Sequence, residues 1–330
     1  MKETSAEPPI GLLFMAYGSP ESLDQIEDYL LDVREGRPPS PELIAEIRHR
    51  YASIGGRSPL LEWSRAQAEA VAAELNRRHS PSGLQFKAYL GMRHWQPRIR
   101  TAVEEMISDG VRQAVALVLA PHSSRLSVGK YYQHLDESLE ALSAQIELVR
   151  IQNWHTHPGL IAALKEKFLE TRGRFQEGED PYVLFTAHSL PARILELGDP
   201  YESQLLETAH LLVKELGLRE DRWQFCYQSA GAGGGAWLGP QIEEVIPSLA
   251  KAGEKNVLVA PIGFVCDHIE VLYDIDIGCQ QIAQQHGIHL ERSPSLNTAP
   301  LFIQALADLV TEALSGLTVG RFIKESFSHH

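Results

Sequence analysis

The sequence predicts an α/β protein of two related halves, each a parallel sheet flanked by helices, with a cleft between the halves. Three observations predict this fold class. Short apolar runs alternate with amphipathic segments of helical length, a pattern typical of parallel sheets covered on both faces. A motif near the start of the chain recurs near its middle. The length of 330 residues fits about two domains.

Strands are predicted where apolar runs are short and bounded by polar segments. They are Ile10–Ala16, Leu84–Leu90, Ala114–Ala120, Tyr182–Ala187, Trp223–Tyr227 and Asn256–Ala260. Helices are predicted where apolar residues recur at helical spacing. They fall near 21–34, 41–50, 62–77, 97–109, 130–145, 158–172, 201–216, 240–252, 268–285 and 299–314. The polar stretch Arg172–Pro181 predicts a linker or a long loop.

A weak internal repeat relates the two halves. Leu13–Pro20 resembles Leu184–Pro191, and a later strand of each half ends in Ala-Pro, at Pro121 and Pro261. Ligands of open α/β sheets bind beyond the carboxyl ends of the strands. We therefore expect the side chains that follow these strands to collect around one cleft. They are Tyr17, His122, His188 and the segment Gly263–Glu270.

Composition and charge narrow the possible functions. Hydrophobic residues make up 44% of the chain and charged residues 22%, as in an ordinary globular protein. With 30 basic and 43 acidic residues the net charge is −13, which disfavours a nucleic-acid coat but leaves room for a local basic pocket. No apolar run approaches the ~18 residues of a membrane span, and the first ten residues do not resemble a signal peptide. We expect a cytoplasmic protein.

Several familiar motifs are incomplete. Gly231–Ala236 fits the dinucleotide pattern G-x-G-x-x-A, but Trp237 and Pro240 interrupt the expected helix start, which favours a flexible loop. His268-Ile-Glu270 matches only half of the zinc deaminase signature. The cysteines contain no C-x-x-C pair, so disulfide, zinc and iron–sulfur sites are unsupported; they are Cys226, Cys266 and Cys279. The remaining scattered histidines are expected at the surface; they are His79, His155, His157, His286 and His289.

His188 and the acidic segment after it in the chain are the main candidates for chemistry. His188 alone is as consistent with a buried, hydrogen-bonded imidazole as with a ligand or base. Asp267, Glu270 and Asp274 share one helical face, the spacing of an exposed acidic stripe. An imidazole and a carboxylate can also bind Fe²⁺ or accept protons. The spacing leaves both interpretations open.

Eight segments in order closely resemble the ferrochelatases, over about residues 10 to 312. They are Leu12–Gly18, Arg34–Glu42, Arg50–Pro59, Leu119–His122, Ala187–Pro191, Tyr227–Ser229, Trp237–Pro240 and Gly263–Asp274. The N-terminal patterns R-E-G-R-P-P-S-P-E and R-Y-A-S-I-G-G-R-S-P are most similar to coproporphyrin ferrochelatases of Gram-positive type. The resemblance implies two Rossmann-like, chelatase-type halves around a porphyrin cleft. They cover residues 10–157 and 158–312, the last helix packs back on the body, and 1–9 and 313–330 form tails.

The resemblance also implies the reaction and its partners. We expect insertion of Fe²⁺ into coproporphyrin III, which gives Fe-coproporphyrin III (coproheme) in haem biosynthesis. Iron is then a substrate, no cofactor is required, and no iron–sulfur cluster is expected because the cysteine-bearing extension of animal enzymes is missing. A monomer and a transient contact with a downstream coproheme decarboxylase are expected. The alternatives are a protoporphyrin IX ferrochelatase, a cobalt chelatase for a sirohydrochlorin, and a porphyrin or haem carrier without catalysis.

Site residues follow from the resemblance position by position. His188 and Glu270 are implied as the residues that receive Fe²⁺ and the pyrrole protons, with Asp274 as an outer relay. Tyr17 is implied on the opposite face of the ring, axial to the product iron. The remaining porphyrin contacts implied are Arg34, Arg50, Tyr51, Ser58 and Tyr131. Gly278 departs from the family, because related bacterial enzymes often carry Glu there.

Overall fold

The computed structural model describes residues 7–231 and 235–315 and contains two four-stranded parallel sheets with the same strand order. The first sheet has the order β2-β1-β3-β4 and the second β6-β5-β7-β8. The strands are β1 (Ile10–Ala16), β2 (Phe86–Met92), β3 (Gln113–Val118), β4 (Glu147–Ile151), β5 (Tyr182–His188), β6 (Trp223–Gln228), β7 (Asn256–Ala260) and β8 (His289–Arg292). This topology confirms the predicted α/β fold of two related halves.

Helices flank both sheets. They are α1 (Ile26–Val33), α2 (Pro41–Ser53), α3 (Leu60–His79), α4 (Ile99–Ser108), α5 (Val128–Ala141), α6 (Pro158–Arg172), α7 (Arg193–Glu196), α8 (Tyr201–Leu216), α9 (Ile242–Lys251), α10 (Ile269–Leu272), α11 (Gln280–Gln285) and α12 (Pro300–Leu314). A π-helix, Asp274–Cys279, joins α10 to α11. No described helix is long and apolar enough to cross a membrane.

Alternation along β1 shows how the first sheet is covered. Leu12 and Phe14 pack with α3 and α12 on one face, whereas Leu13 and Met15 pack with α4 and α5 on the other, because successive strand residues point to opposite faces. The second sheet follows the same rule, with α6 and α8 on one face and α9 and α11 on the other.

Two helices that follow residue 157 in the chain pack into the core of the first half. α6 contributes Leu160 to the core of the first half and Phe168 to that of the second. α12 lies last in the described chain and packs Phe302 against Trp154 of the first half, with ring centroids 6.0 Å apart. The domain boundaries at 157 and 312 stay a prediction, and most of both expected tails lies outside the described residues.

Three element predictions are wrong in detail. The edge strands β4 and β8 were not predicted, because each carries charged residues and lacks the continuous apolar run of a central strand. β2 begins at Phe86 rather than Leu84. The helix expected over 268–285 is divided by the π-helix, where Gly278 N donates to Tyr273 O, five residues back, at 2.9 Å.

Candidate active site

The repeated strand ends place one side chain from each half in corresponding positions. Tyr17 directly follows β1, and His188 is the last residue of β5. β5 holds the same position in the second sheet as β1 holds in the first. His188 is half-buried and its Nδ1 donates to the main-chain oxygen of Ser189. Its own main-chain oxygen accepts from Tyr201 Oη at 3.0 Å. With the proton of a neutral ring on Nδ1, Nε2 carries the lone pair that can accept a proton or bind a metal.

Gln228 connects the end of β5 to the helix that carries Glu270. It lies opposite His188 in the pairing of β6 with β5. Its side-chain oxygen accepts from Thr186 Oγ1 at 2.7 Å, and its side-chain nitrogen donates to the main-chain oxygen of Glu270 at 2.8 Å. The amide is buried and engaged at both ends, so it holds α10 beside the strand end. His188 and Glu270 therefore lie at the same edge of the second sheet.

His268 contacts the Glu270 carboxylate across the start of α10. His268 Nδ1 donates to the main-chain oxygen of Cys266 at 3.0 Å, and its Nε2 lies 3.2 Å from Glu270 Oε2. Because a carbonyl oxygen only accepts, the Nδ1 atom carries a proton. The contact between His268 Nε2 and Glu270 Oε2 is then a hydrogen bond only when a second proton lies between these two atoms. The contact therefore holds the Glu270 carboxylate against the His268 ring at the start of α10.

Asp274 connects the two halves at the start of the π-helix. Its carboxylate accepts from Ser229 Oγ, and its Oδ1 lies 3.4 Å from Arg50 Nη1 on α2. Burial raises the pKa of Asp274, and the negative charge of Glu270 raises it further, whereas Arg50 and His188 lower it. Asp274 thus holds a proton more readily than an ordinary aspartate, and it lies within electrostatic range of both His188 and Glu270.

Glu270 of the second half lies within electrostatic range of tyrosines of the first half. Tyr17 is 36% exposed, yet burial among protein atoms raises its pKa to about 12, the combination expected of a side chain deep in an open cleft. Burial also raises the pKa values of Tyr51 and Tyr131. The charge of Glu270 contributes to the rise at all three. The Glu270 carboxylate of one half is therefore close enough to these hydroxyl groups of the other half to influence their ionisation.

Fold, motif order and sequence comparison agree on the family. Residues 9–314 match the family model described as "Ferrochelatase". The chain is 46% identical to a ferrochelatase of Deinococcus radiodurans, over 94% of this chain and 98% of that protein. The chain belongs to the ferrochelatase family. It is also 39% identical to a coproporphyrin III ferrochelatase of Anoxybacillus flavithermus, over 92% of this chain and 96% of that one.

Solved structures of other chelatases share the fold of this ferrochelatase. SirB from Bacillus subtilis with Fe³⁺ superposes with a TM-score of 0.57 at 12% identity, covering 92% of this chain and 95% of that chain. CbiX, described as the terminal enzyme for biosynthesis of sirohaem in denitrifying bacteria, superposes with a TM-score of 0.51 at 13% identity, covering 92% and 100%. At these identities the likeness shows the architecture alone.

The arginine and serine candidates of the ferrochelatase occupy different environments. Arg50 pairs with Glu46 at 2.5 Å as well as with Asp274. Arg34 ends α1, and its Nε donates to the main-chain oxygen of Arg37 at 3.2 Å; it forms no ion pair with a carboxylate in the described part of the chain. Ser58 is buried, and its Oγ accepts from the main-chain N–H of Leu60, the first residue of α3, at 3.4 Å.

No preformed three-ligand metal cluster is present. In residues 7–231 and 235–315, no three His, Cys, Asp or Glu side chains converge so as to hold a metal ion. Iron is a substrate of ferrochelatases, so its ligands need to release it to the porphyrin. His188, Glu270 and Asp274 remain candidates that would engage the metal together with the ring. Their roles stay predictions.

The structure corrects two expectations about histidines. His122 was expected in the cleft, but it is only 2% exposed. Its Nε2 atom and Thr208 Oγ1 form a hydrogen bond of 2.9 Å, and its ring centroid lies 5.9 Å from that of His155. Burial, and to a lesser extent His155, lower the pKa of His122 to about 3. His79 and His155 were expected at the surface and are buried. His79 packs on the Phe86 ring, with centroids 5.3 Å apart, and His155 packs between the His122 ring and Glu207 of α8.

Two contacts were missed by sequence reasoning. His268 was considered only as half of a deaminase motif, although its place two residues before Glu270 could have suggested a pair. Gln228 was noted only as part of a resemblance, and nothing in its local sequence indicates the contact with Glu270. Half of the glycine-rich segment expected to be a flexible loop, Gly231–Ala236, lies outside the described residues.

Proposed function

We propose that this ferrochelatase inserts Fe²⁺ into coproporphyrin III and needs no resident cofactor. The supporting observation is the arrangement of the site, where His188 and Glu270 lie at one edge of the second sheet, the charge of Glu270 reaches Tyr17, Tyr51 and Tyr131 of the first half, and Arg50 contacts Asp274. Relatives named coproporphyrin III ferrochelatase, from Anoxybacillus flavithermus and Oceanobacillus iheyensis, are both 39% identical to this chain. Coproporphyrin carries four propionates, which suit guanidinium groups with paired N–H donors.

Metal insertion requires that two pyrrole N–H protons leave as Fe²⁺ enters, so the site needs two proton acceptors. Nε2 of His188 would accept one proton. The His268–Glu270 pair would accept the other, because its two groups share a proton position. Asp274, whose pKa is raised by burial, would pass protons or metal outward toward solvent. Each step uses a group in the orientation that the hydrogen bonds described above give it.

Tyr17 would lie on the opposite face of the ring. Its raised pKa keeps the phenol protonated in the empty cleft, so it does not compete for Fe²⁺ before insertion. After insertion, the positive iron centre would favour binding of the Tyr17 oxygen as axial ligand. Contacts from the propionates to Arg34, Arg50, Tyr51, Ser58 and Tyr131 would hold the ring bent, so that remote binding offsets the cost of distortion.

The decisive experiment is anaerobic Fe²⁺ insertion followed by absorbance, with coproporphyrin III and protoporphyrin IX compared side by side. Faster turnover of coproporphyrin supports the proposal and places a decarboxylation of propionates after this step. Faster turnover of protoporphyrin would keep the mechanism and overturn the substrate. Tight binding of both porphyrins without insertion would instead indicate a carrier.

Two variants test the residue roles. His188→Ala should bind porphyrin but lose insertion, and Glu270→Gln should insert metal at least ~10² more slowly, in the range of general acid–base effects. His286→Ala is the matched control, because this histidine is exposed at the end of α11. Insertion at the control rate by either site variant would contradict the role proposed for that residue.

A further inference from the structure

A second concave site borders the cleft in the first half of the molecule. This cavity has a volume of about 420 Å³, within the range of pockets that bind small molecules or their substituents. It adjoins the proposed porphyrin contacts through two residues. His94 packs on the Tyr17 ring with centroids 4.6 Å apart, and the Arg93 guanidinium lies 5.8 Å from the centroid of the Tyr131 ring.

Four basic side chains and two carboxylates line this cavity; they are Arg93, Arg98, Arg100, Lys130, Asp32 and Glu35. Two of the basic groups are already paired. Arg98 Nη2 lies 2.7 Å from Asp32, and Arg100 Nε lies 3.0 Å from Glu104. In the part of the chain that the structure describes, Arg93 and Lys130 have no carboxylate partner. The cavity therefore keeps a positive excess although the chain has a net charge of −13.

These two cations make few side-chain hydrogen bonds to the described residues, and none of them is to a carboxylate. Lys130 Nζ donates to Gln133 Oε1 at 2.9 Å, and Arg93 Nη1 donates to the main-chain oxygen of Leu126 at 3.3 Å. Arg93 Nε is buried without a partner, which is costly for a charged donor. A reorientation of Arg93 toward an incoming carboxylate would lose little and would satisfy that donor. Burial together with the charges of Arg93 and Lys130 lowers the pKa of nearby His134, although Glu137 opposes them.

We propose that Arg93 and Lys130 form a carboxylate subsite for a propionate that coproporphyrin carries and protoporphyrin lacks. The inference rests on the proposed function. The proposed porphyrin contacts include two arginines, Arg34 and Arg50. Two positive charges leave part of the negative charge of the four propionates uncompensated. Arg93 and Lys130 supply the missing positive charge beside Tyr131, on the edge of the same cleft. The subsite would thus select a tetraanionic over a dianionic ring.

The test compares Lys130→Gln and Arg93→Gln with wild type, using coproporphyrin III and protoporphyrin IX as probes. Porphyrin dissociation constants come from fluorescence titration, and KM and kcat from Fe²⁺ insertion. Each variant should lower the ratio of coproporphyrin to protoporphyrin affinity by about tenfold, the effect of one charge-assisted hydrogen bond, with the loss in KM. Lys130→Arg, which keeps the charge, should restore the ratio.

Arg100→Gln is the matched control, because it removes one positive charge from the same cavity while its guanidinium is already paired with Glu104. Its ratio should stay within about twofold of wild type. An unchanged ratio in both site variants, or an equal loss for both porphyrins, would overturn the subsite. A wild-type preference for protoporphyrin would overturn the proposed function instead, and the subsite would still be judged by the change in ratio between wild type and variant.

Discussion

At the scale of single residues, the orientation of Glu270 depends on contacts that come from outside its own helix. α10 has four residues, so its internal hydrogen bonds cannot hold it firmly. Gln228 holds the main-chain oxygen of Glu270, and His268 holds its carboxylate. The Glu270 carboxylate, on so short a helix, is therefore positioned by its neighbours rather than by its secondary structure.

Gln228→Met tests this positioning. The substitution removes the donor to Glu270 O and leaves the buried Thr186 hydroxyl without its acceptor, which should lower the free energy of unfolding by about 1–3 kcal/mol. We expect Fe²⁺ insertion to slow by about tenfold, because α10 is no longer fixed beside His188. Insertion rate and urea midpoint would be measured together. Gln284→Met, at an exposed position of α11, is the control; wild-type insertion by Gln228→Met would show that the contact does not position Glu270.

The sequence could predict the site residues that directly follow strands. It could not predict those whose position depends on contacts between a loop and a neighbouring element. Tyr17 and His188 were placed correctly at corresponding strand ends. The repeated motif marks where each strand ends, and the strands of a parallel sheet end at the same edge. His268 and Gln228 depend on how a loop and a neighbouring strand pack, which no local pattern encodes. His122 followed the strand-end rule as well, but Tyr201 and Thr208 of α8 and the His155 ring pack around it and bury it.

At the scale of elements, the end of β5 depends on close approach by the loop after β7. A Cβ placed on Gly263 would lie 2.4 Å from Ala187 Cβ and 2.9 Å from Ala187 Cα. Ala187 precedes His188, so this glycine lets the loop that leads to α10 lie directly against the strand end. Sequence reasoning included Gly263 in the cleft segment, but the need for glycine appears only once two non-adjacent elements are seen in contact.

Gly263→Ala should therefore disturb the site and the fold together. Relief of the clash must move either the loop or the strand end, at a cost of about 1–3 kcal/mol, and His188 would shift relative to Glu270. We expect a lower unfolding midpoint and a loss of Fe²⁺ insertion of at least tenfold. Gly173→Ala, where the nearest non-adjacent atom lies 3.5 Å away, should leave both unchanged. Full activity in Gly263→Ala would show that the strand end tolerates the displacement.

The element predictions failed where physical cues were weakest. The central strands β1 and β7 match their predicted bounds because continuous apolar runs define strands buried on both faces. β4 and β8 lie at sheet edges and mix charged with apolar residues, so they resemble loops. The π-helix has the apolar period of an α-helix over most of its length, and one extra residue per turn cannot be recognised from the pattern alone.

At the scale of the whole molecule, a buried polar seam joins the two halves. His122 at the end of β3 contacts Thr208 of α8 at 2.9 Å, and Ser124 donates to Asp199 at 3.1 Å. Asp199 also accepts from the main-chain N–H of Tyr201 at 3.0 Å, and Tyr201 in turn donates to the main-chain oxygen of His188. The seam therefore connects the junction of the halves to the active-site strand end.

This seam should make the protein sensitive to mild acid. The pKa of His122 is about 3 in the folded protein and about 6.5 when unfolded, so above pH ~6.5 the imidazole is neutral in both states and costs nothing. As the pH falls below ~6.5, His122 binds a proton in the unfolded chain but not in the folded chain. The free energy of unfolding therefore decreases until the pH reaches about 3. His94, with a pKa of about 4, acts in the same direction. From pH 6.5 to 5, His122 alone should lower the free energy of unfolding by about 1.5 kcal/mol.

His122→Gln removes this titration while keeping a side chain that can hydrogen-bond Thr208. Urea unfolding at a series of pH values should give a curve for the variant that falls about 1.5 kcal/mol less than wild type between pH 6.5 and 5, even if the variant is less stable at neutral pH. His286→Gln, at an exposed position, should fall in parallel with wild type. Parallel curves for His122→Gln as well would mean that His122 binds protons equally in the folded and unfolded states, which would contradict the lowered pKa of the buried ring.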